Sequence, residues 1–175
     1  MITQFRYGFK HVEAANRTLV HQWLTQPYIA EWFYGQGLEN TFKYLDEFLN
    51  GSTQAQYWLG YDKGHPFAFL ITSYVKKPDD ELTRWSISKG DTITLDMSIG
   101  DQNYIGKGLS HILIKEFLLS QFPKVTEVLI DPEATNSRAI HVYEKAGFKK
   151  VGEFIPSHSP NLHYMMRLQM KELSV

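Results

Sequence analysis

Residues 92–109 constrain the fold more than any other part of the chain. Thr92-Ile93-Thr94-Leu95-Asp96-Met97-Ser98-Ile99 is apolar and rich in β-branched side chains, which suit a buried pleated strand. It leads through Gly100-Asp101-Gln102 into Asn103-Tyr104-Ile105-Gly106-Lys107-Gly108, and a helix begins at once at Leu109. Leu109, Ile112, Leu113, Phe117 and Leu118 then recur at helical spacing until Pro123 ends the run. Glycines at such a junction leave backbone N–H groups unscreened by any Cβ. The first helical turn adds further unpaired N–H groups and the positive end of the helix dipole. That combination suits a phosphate or pyrophosphate. The same glycines also serve a plain turn, so spacing alone leaves both uses open. Neither a G-x-x-x-x-G-K-[ST] run nor a G-x-G-x-x-G after the first strand occurs, which excludes a P-loop and a dinucleotide motif.

The remaining elements fall around this junction. Ile2 to Phe9 alternates as a strand, Glu13 to Leu24 carries one apolar helical stripe, and Pro27 opens a short helix through Phe33. Leu38 to Leu49 has helical periodicity and stops at Asn50-Gly51. Gln56–Tyr61 and Pro66–Ile71 flank Asp62-Lys63-Gly64-His65 as a hairpin, and Lys76 to Gly90 reads as a long charged loop. After the central helix come a strand at Val125–Ile130, a helix at Ser137–Ala146 ended by Gly147, and strands at Phe148–Phe154 and Leu162–Leu168. No repeat or linker divides the 175 residues, so residues 1–175 are taken as one domain. The order β-α-α-α-β-β-β-α-β-α-β-β predicts an α/β (α+β) fold, with one mixed central sheet of about six to seven strands and helices on both faces.

Composition narrows the function classes. A net charge of −1 provides no basic field for nucleic acid. Cysteine is absent, which removes disulfides, thiolate metal sites and a catalytic thiol. The seven histidines show no ligand spacing, so no metal is expected. No apolar run reaches membrane-spanning length and the N-terminus lacks a signal-peptide core, so a cytoplasmic protein without membrane attachment is expected. The aromatic fraction of 14% is high; most of these rings are expected to fill a core, with the remainder available to wall a pocket.

A second stretch carries a specific resemblance. Residues 131–148 read Asp-Pro-Glu-Ala-Thr-Asn-Ser-Arg-Ala-Ile-His-Val-Tyr-Glu-Lys-Ala-Gly-Phe. Asn136, Ala139, Tyr143-Glu144-Lys145 and Gly147-Phe148 resemble the N-x-x-A-x-x-x-Y-E-K-x-G-F signature of GNAT N-acetyltransferases, which follows a glycine loop like the one at Asn103–Gly108. Asn103 departs from the Gln or Arg usual at its position. Within the superfamily the chain looks most like aminoglycoside 6′-N-acetyltransferases, on Trp23-Leu24, Glu31-Trp32-Phe33, Leu95-Asp96 and Asp131-Pro132.

That resemblance implies acetyl-CoA as co-substrate and a division of roles. Met97, Ser98 and Ile99 would pair with the pantetheine arm as an added strand would, and Asn136 would bond its amides, although it is also a good helix cap. Asn103, Tyr104, Ile105, Gly106, Lys107, Gly108 and Leu109 would hold the pyrophosphate. Tyr143 would protonate the departing thiolate, and Asp96 would receive the amine and take its proton. Trp32, Tyr34, Trp85, Asp131 and the acidic run Asp79-Asp80-Glu81 would wall a polycationic acceptor.

The function expected is direct acetyl transfer to a primary amine of a small molecule, an aminoglycoside 6′-amine first, by a monomer or weak homodimer. The alternatives are acylation of a siderophore-type hydroxylamine, acetylation of another small metabolite or a protein N-terminus, and a CoA-binding module without catalysis.

Overall fold

The computed structural model describes residues 4–76, 81–86 and 89–173. Seven strands are β1 (Tyr7–His11), β2 (Gln56–Asp62), β3 (His65–Tyr74), β4 (Thr92–Ile99), β5 (Glu127–Ile130), β6 (Lys149–Phe154) and β7 (His163–Gln169). They form one sheet in the order β1-β2-β3-β4-β5-β7-β6. Every neighbouring pair is antiparallel except β4 and β5, which run parallel. The helices are α1 (Arg17–Leu24), α2 (Pro27–Ala30), α3 (Gly35–Leu49), α4 (Ser110–Gln121) and α5 (Ser137–Ala146).

Local chemistry accounts for most of these boundaries. Lys63 and Gly64 both take positive φ between the paired residues Asp62 and His65, the backbone a two-residue hairpin of right-handed twist requires. Gly147 ends α5 in the left-handed conformation. α3 starts at Gly35, three residues before its apolar repeat, and Thr41 and Leu45 are its buried positions. The run predicted as a helix from Glu13 divides into a 3₁₀ turn at Ala14–Asn16 and then α1. β1 begins later than the sequence suggests and ends at His11, beyond Phe9, because its register is set by pairing with β2.

The sheet buries apolar side chains on both faces. Val20, Leu24, Ile29 and Leu45 of the N-terminal helices pack against Tyr57, Leu59 and Phe69. Ile114, Phe117, Leu118 and Ala146 of α4 and α5 pack against Trp58, Leu70, Ile93, Leu95 and Val128 on the other face. Burying each such side chain stabilises the fold by about 1.5–3 kcal/mol before conformational entropy is counted. The two parallel strands matter most for function. β4 and β5 pair only over Thr92–Thr94 and Glu127–Leu129, and beyond them the strands separate while β4 stays in register with β3 through Ile99.

Candidate active site

The separation of β4 from β5 opens a cavity of about 490 Å³. Asp96, Met97, Asp131, Asn136 and Tyr143 line it together, from β4, the turn after β5 and α5. Trp32, Tyr34 and Glu81 contribute from the opposite wall. The cavity lies within the fold's own elements, and β4 beyond Thr94 has a free edge toward it among the described residues.

Alternation along β4 sends Leu95 into the core and Asp96 the other way. Asp96 is therefore not a core carboxylate, as its apolar neighbours suggested. It is open to solvent through the cavity yet crowded by protein. That enclosure is the main cause of its raised pKa, about 7, with the nearby charge of Asp131 adding to it and His163 opposing it. Tyr143 is buried, and its enclosure, reinforced by Asp96 and Asp131, holds its phenol protonated far above the ordinary tyrosine value.

The acceptor side is acidic. Glu81, Asp96, Asp131 and Glu133 line the cavity, and no lysine or arginine does among the described residues. Glu133 accepts a hydrogen bond from the Tyr34 hydroxyl, which in turn accepts one from Asn161 Nδ2 at 2.6 Å. Glu81 accepts bonds from the Ser157 backbone N–H at 2.9 Å and the Ser157 hydroxyl at 3.1 Å. These contacts fix two rim carboxylates in direction. Trp85, expected to wall the acceptor, instead packs on Phe154 and fills the space beside Gly152, where a Cβ would collide with its ring. Asp79 and Asp80 lie outside the described residues.

At the far end of β4 the glycine loop has the predicted form with a narrower set of donors. Gly106 and Gly108 take φ of +72° and +70°, and nothing lies within 4 Å of where a Cβ would stand on either. Leu109 precedes α4 without a side-chain cap, so the first-turn N–H groups keep no side-chain partner there. In contrast, Asn103 N–H bonds Asp101 Oδ1, Tyr104 N–H bonds Asp101 O, and Ile105 N–H bonds Gln102 O. These three amides close a 3₁₀ turn and are withdrawn from any ligand. The Tyr104 ring stacks on Phe67 at 4.5 Å and its hydroxyl bonds Asp62, so the side chain is structural too. Gly106–Leu109 and the start of α4 remain as an open backbone cradle, whose geometry suits an anion.

Asn136 performs the capping role, its Oδ1 accepting from Ala139 N–H at 3.2 Å, and it lines the cavity as well. Two residues escaped the sequence reading. Glu133 sits two positions beyond Asp131, and His163 enters from β7. His163 Nδ1 lies 2.7 Å from Asp131 O and 3.1 Å from Asp131 Oδ2. A histidine inside the apolar run Leu162–Leu168 was the available signal, of the same kind that singled out Asp96.

The family model described as "Acetyltransferase (GNAT) domain" matches residues 13–155, which include the cavity, the glycine loop and α5. The Klebsiella pneumoniae protein named aminoglycoside N(6′)-acetyltransferase type 1 is 28% identical over 162 residues, covering 88% of this chain and 79% of its own. A crystal structure of an aminoglycoside N(6′)acetyltransferase from Legionella pneumophila is 45% identical, with a TM-score of 0.87 over 98% of this chain and 96% of that one. The fold is also that of AAC(6′)-Ib, solved with acetyl-CoA and an aminoglycoside, at 21% identity and a TM-score of 0.76 over 94% of each chain. The matched residues 13–155 take in the glycine loop before α4, the splayed parallel strands and Tyr143 of α5, and the chain belongs to the GNAT acetyltransferase family.

Proposed function

We propose that this enzyme transfers the acetyl group of acetyl-CoA to a primary amine of a small polycationic acceptor, the 6′-amine of an aminoglycoside. The observation that carries the reading is the lining of one cavity by Asp96, Tyr143 and three further carboxylates without any lysine or arginine among the described residues. A polyamine sugar presents several ammonium groups, and a cavity of this charge attracts and orients them. Trp32 and Tyr34 offer flat faces to its rings.

The free edge of β4 at Met97–Ile99 and the Nδ2 of Asn136 support a pantetheine arm, and Gly106, Lys107, Gly108 and Leu109 support its pyrophosphate. Bound acetyl-CoA supplies the acyl carbonyl and a thiolate leaving group. The acceptor arrives as an ammonium and must lose a proton before its nitrogen lone pair can attack. Asp96 takes that proton: an N–H bond breaks, an O–H bond forms, and the carboxylate goes from −1 to neutral. A carboxylate of ordinary pKa beside an ammonium would hold the proton on nitrogen; one raised to about 7 is better matched as a base at neutral pH. As the new C–N bond forms and the C–S bond breaks, Tyr143 donates its proton to sulfur, and the second proton that the nitrogen sheds on becoming an amide restores the phenol, so that only the proton held by Asp96 is left to pass to solvent.

The test is a steady-state screen with acetyl-CoA read by free thiol release. Kanamycin-type aminoglycosides should be turned over, with the product acetylated at the 6′ position. Polyamines and N-hydroxylysine should be poorer. Activity on the hydroxylamine with none on any aminoglycoside would overturn the acceptor class.

A further inference from the structure

Asp131 and His163 are 32 residues apart in sequence and joined by two contacts at the base of the cavity. One of those contacts is to the backbone carbonyl of Asp131, which can only accept. The hydrogen therefore sits on Nδ1, and the neutral ring carries its lone pair on Nε2. That Nε2 is buried with no protein partner, and the whole side chain is only 8% exposed, yet His163 belongs to the cavity lining beside Asp96. A buried nitrogen left without a partner costs stability, and its retention calls for a use.

The charged or titratable groups acting on this ring are Asp131 and Glu133 from the turn after β5, Asp96 from β4 and His158 from the loop before β7, while Tyr143 of α5 lines the same cavity. Phe154 of β6 supplies an apolar edge. The charges around the ring are thus carboxylates.

We propose that His163 is a positioning residue for acetyl transfer: its Nδ1–H fixes the Asp131 carboxylate beside Asp96, and its titrating Nε2 sets how many negative charges the pair carries. This rests on the function proposed above. With the ring protonated, Asp131 is neutralised and Asp96 is left as the carboxylate that receives the acceptor's proton. With the ring neutral, two like charges share the cavity, and Asp96 takes a proton more readily. Burial lowers the pKa of His163, but the bond to Asp131 and that carboxylate's charge outweigh it, so the imidazole stays protonated above the ordinary histidine value. Asp96, whose own pKa is raised, is among the charges that the imidazolium acts on.

Two variants separate orientation from titration. His163→Asn keeps an N–H where Nδ1–H stands and loses the titrating nitrogen. His163→Leu loses both. Melting temperature and acetyl-CoA binding serve as fold controls. With kanamycin as acceptor, His163→Asn should keep its KM within about twofold, and the acidic limb of kcat/KM should move to higher pH, because the cation that favours ionised Asp96 is gone. His163→Leu should show the same movement and a KM raised roughly tenfold, as expected for one misoriented charged contact. In parallel, the ¹⁵N shifts of the His163 ring, recorded across pH with no acceptor present, should give the Nδ1–H tautomer, and Asp131→Asn should lower its titration point. An acidic limb unchanged in His163→Asn, or a neutral ring protonated on Nε2, would overturn the proposal. Wild-type inactivity on kanamycin would defeat the acceptor reading instead, and the ring titration would still decide this one. If His163→Leu does not fold, the asparagine variant and the ring titration decide it.

Discussion

Trp23 of α1 lies directly over Gly100, at the end of β4, so closely that a Cβ on Gly100 would collide with the indole. Tyr28 donates its hydroxyl hydrogen to Gly100 O at 2.8 Å and Gln26 donates to the same carbonyl at 3.1 Å. The N-terminal helices thereby clamp the point where β4 turns toward the glycine loop. Trp23 is buried and cannot withdraw without opening the helix face of the core. Gly100→Ala should destabilise the protein by about 1–3 kcal/mol, the usual cost of overpacking. Chemical denaturation measures it, and an unchanged midpoint would show that the clamp is slack.

Gly108 is different in kind, because space surrounds it and only its backbone conformation is special. A β-branched residue is strained at that positive φ, by about 1–2 kcal/mol. Gly108→Val should therefore fold but distort the amide cradle. The KM for acetyl-CoA should rise roughly tenfold, the equivalent of about 1.4 kcal/mol, while the KM for the amine changes little. Equal KM values for acetyl-CoA in both proteins would remove the phosphate role from this loop.

Tyr143→Phe keeps the ring that packs at 6.0 Å from Phe148 and removes only the donor. Thermal stability and acetyl-CoA binding should persist, with kcat down about 10²-fold, the low end for general acid catalysis. Near-normal kcat would mean that another group protonates the thiolate.

The catalytic strand and the signature helix were legible to the residue, Thr92–Ile99 and Ser137–Ala146, because each carries its own periodicity and its own stop. Asp96 and Tyr143 stand out on these elements for the same reason, one acid in an apolar strand and one tyrosine in a specific motif. The site's other half is tertiary. His163 meets Asp131 only because β7 pairs with β5, with Ile130 opposite Met166. Glu133 gains its direction from Tyr34, 99 residues away. No local pattern encodes either meeting. Trp85 misleads for the opposite reason: an indole in a loop looks available for ligand, but the gap above Gly152 takes it. In the glycine loop a local 3₁₀ turn consumes the amides of Asn103, Tyr104 and Ile105, a tertiary detail that neither spacing nor resemblance carries.

Asp96 also ties activity to stability. Its carboxyl keeps a proton up to about pH 7 in the native state, against an ordinary value of 3.8. Between those values the native state binds more protons than the unfolded chain, so this residue makes stability fall as pH rises. Asp96→Asn should therefore melt higher than wild type at pH 8, and the gap should close toward pH 4. A gap independent of pH would place the raised pKa elsewhere.

In the proposed reaction Asp96 is the group that takes the acceptor's proton. Asp96→Asn is nearly isosteric, so the cavity and acetyl-CoA binding should persist. The decisive measurement is the pH profile of kcat/KM on a kanamycin-type amine for wild type and Asp96→Asn. Wild type should lose activity as pH falls through about 7, where Asp96 is protonated. The variant should lie about 10²–10⁴-fold lower and lack that limb, as for the loss of a positioned base. A variant with wild-type turnover and the same acidic limb would contradict the claim outright.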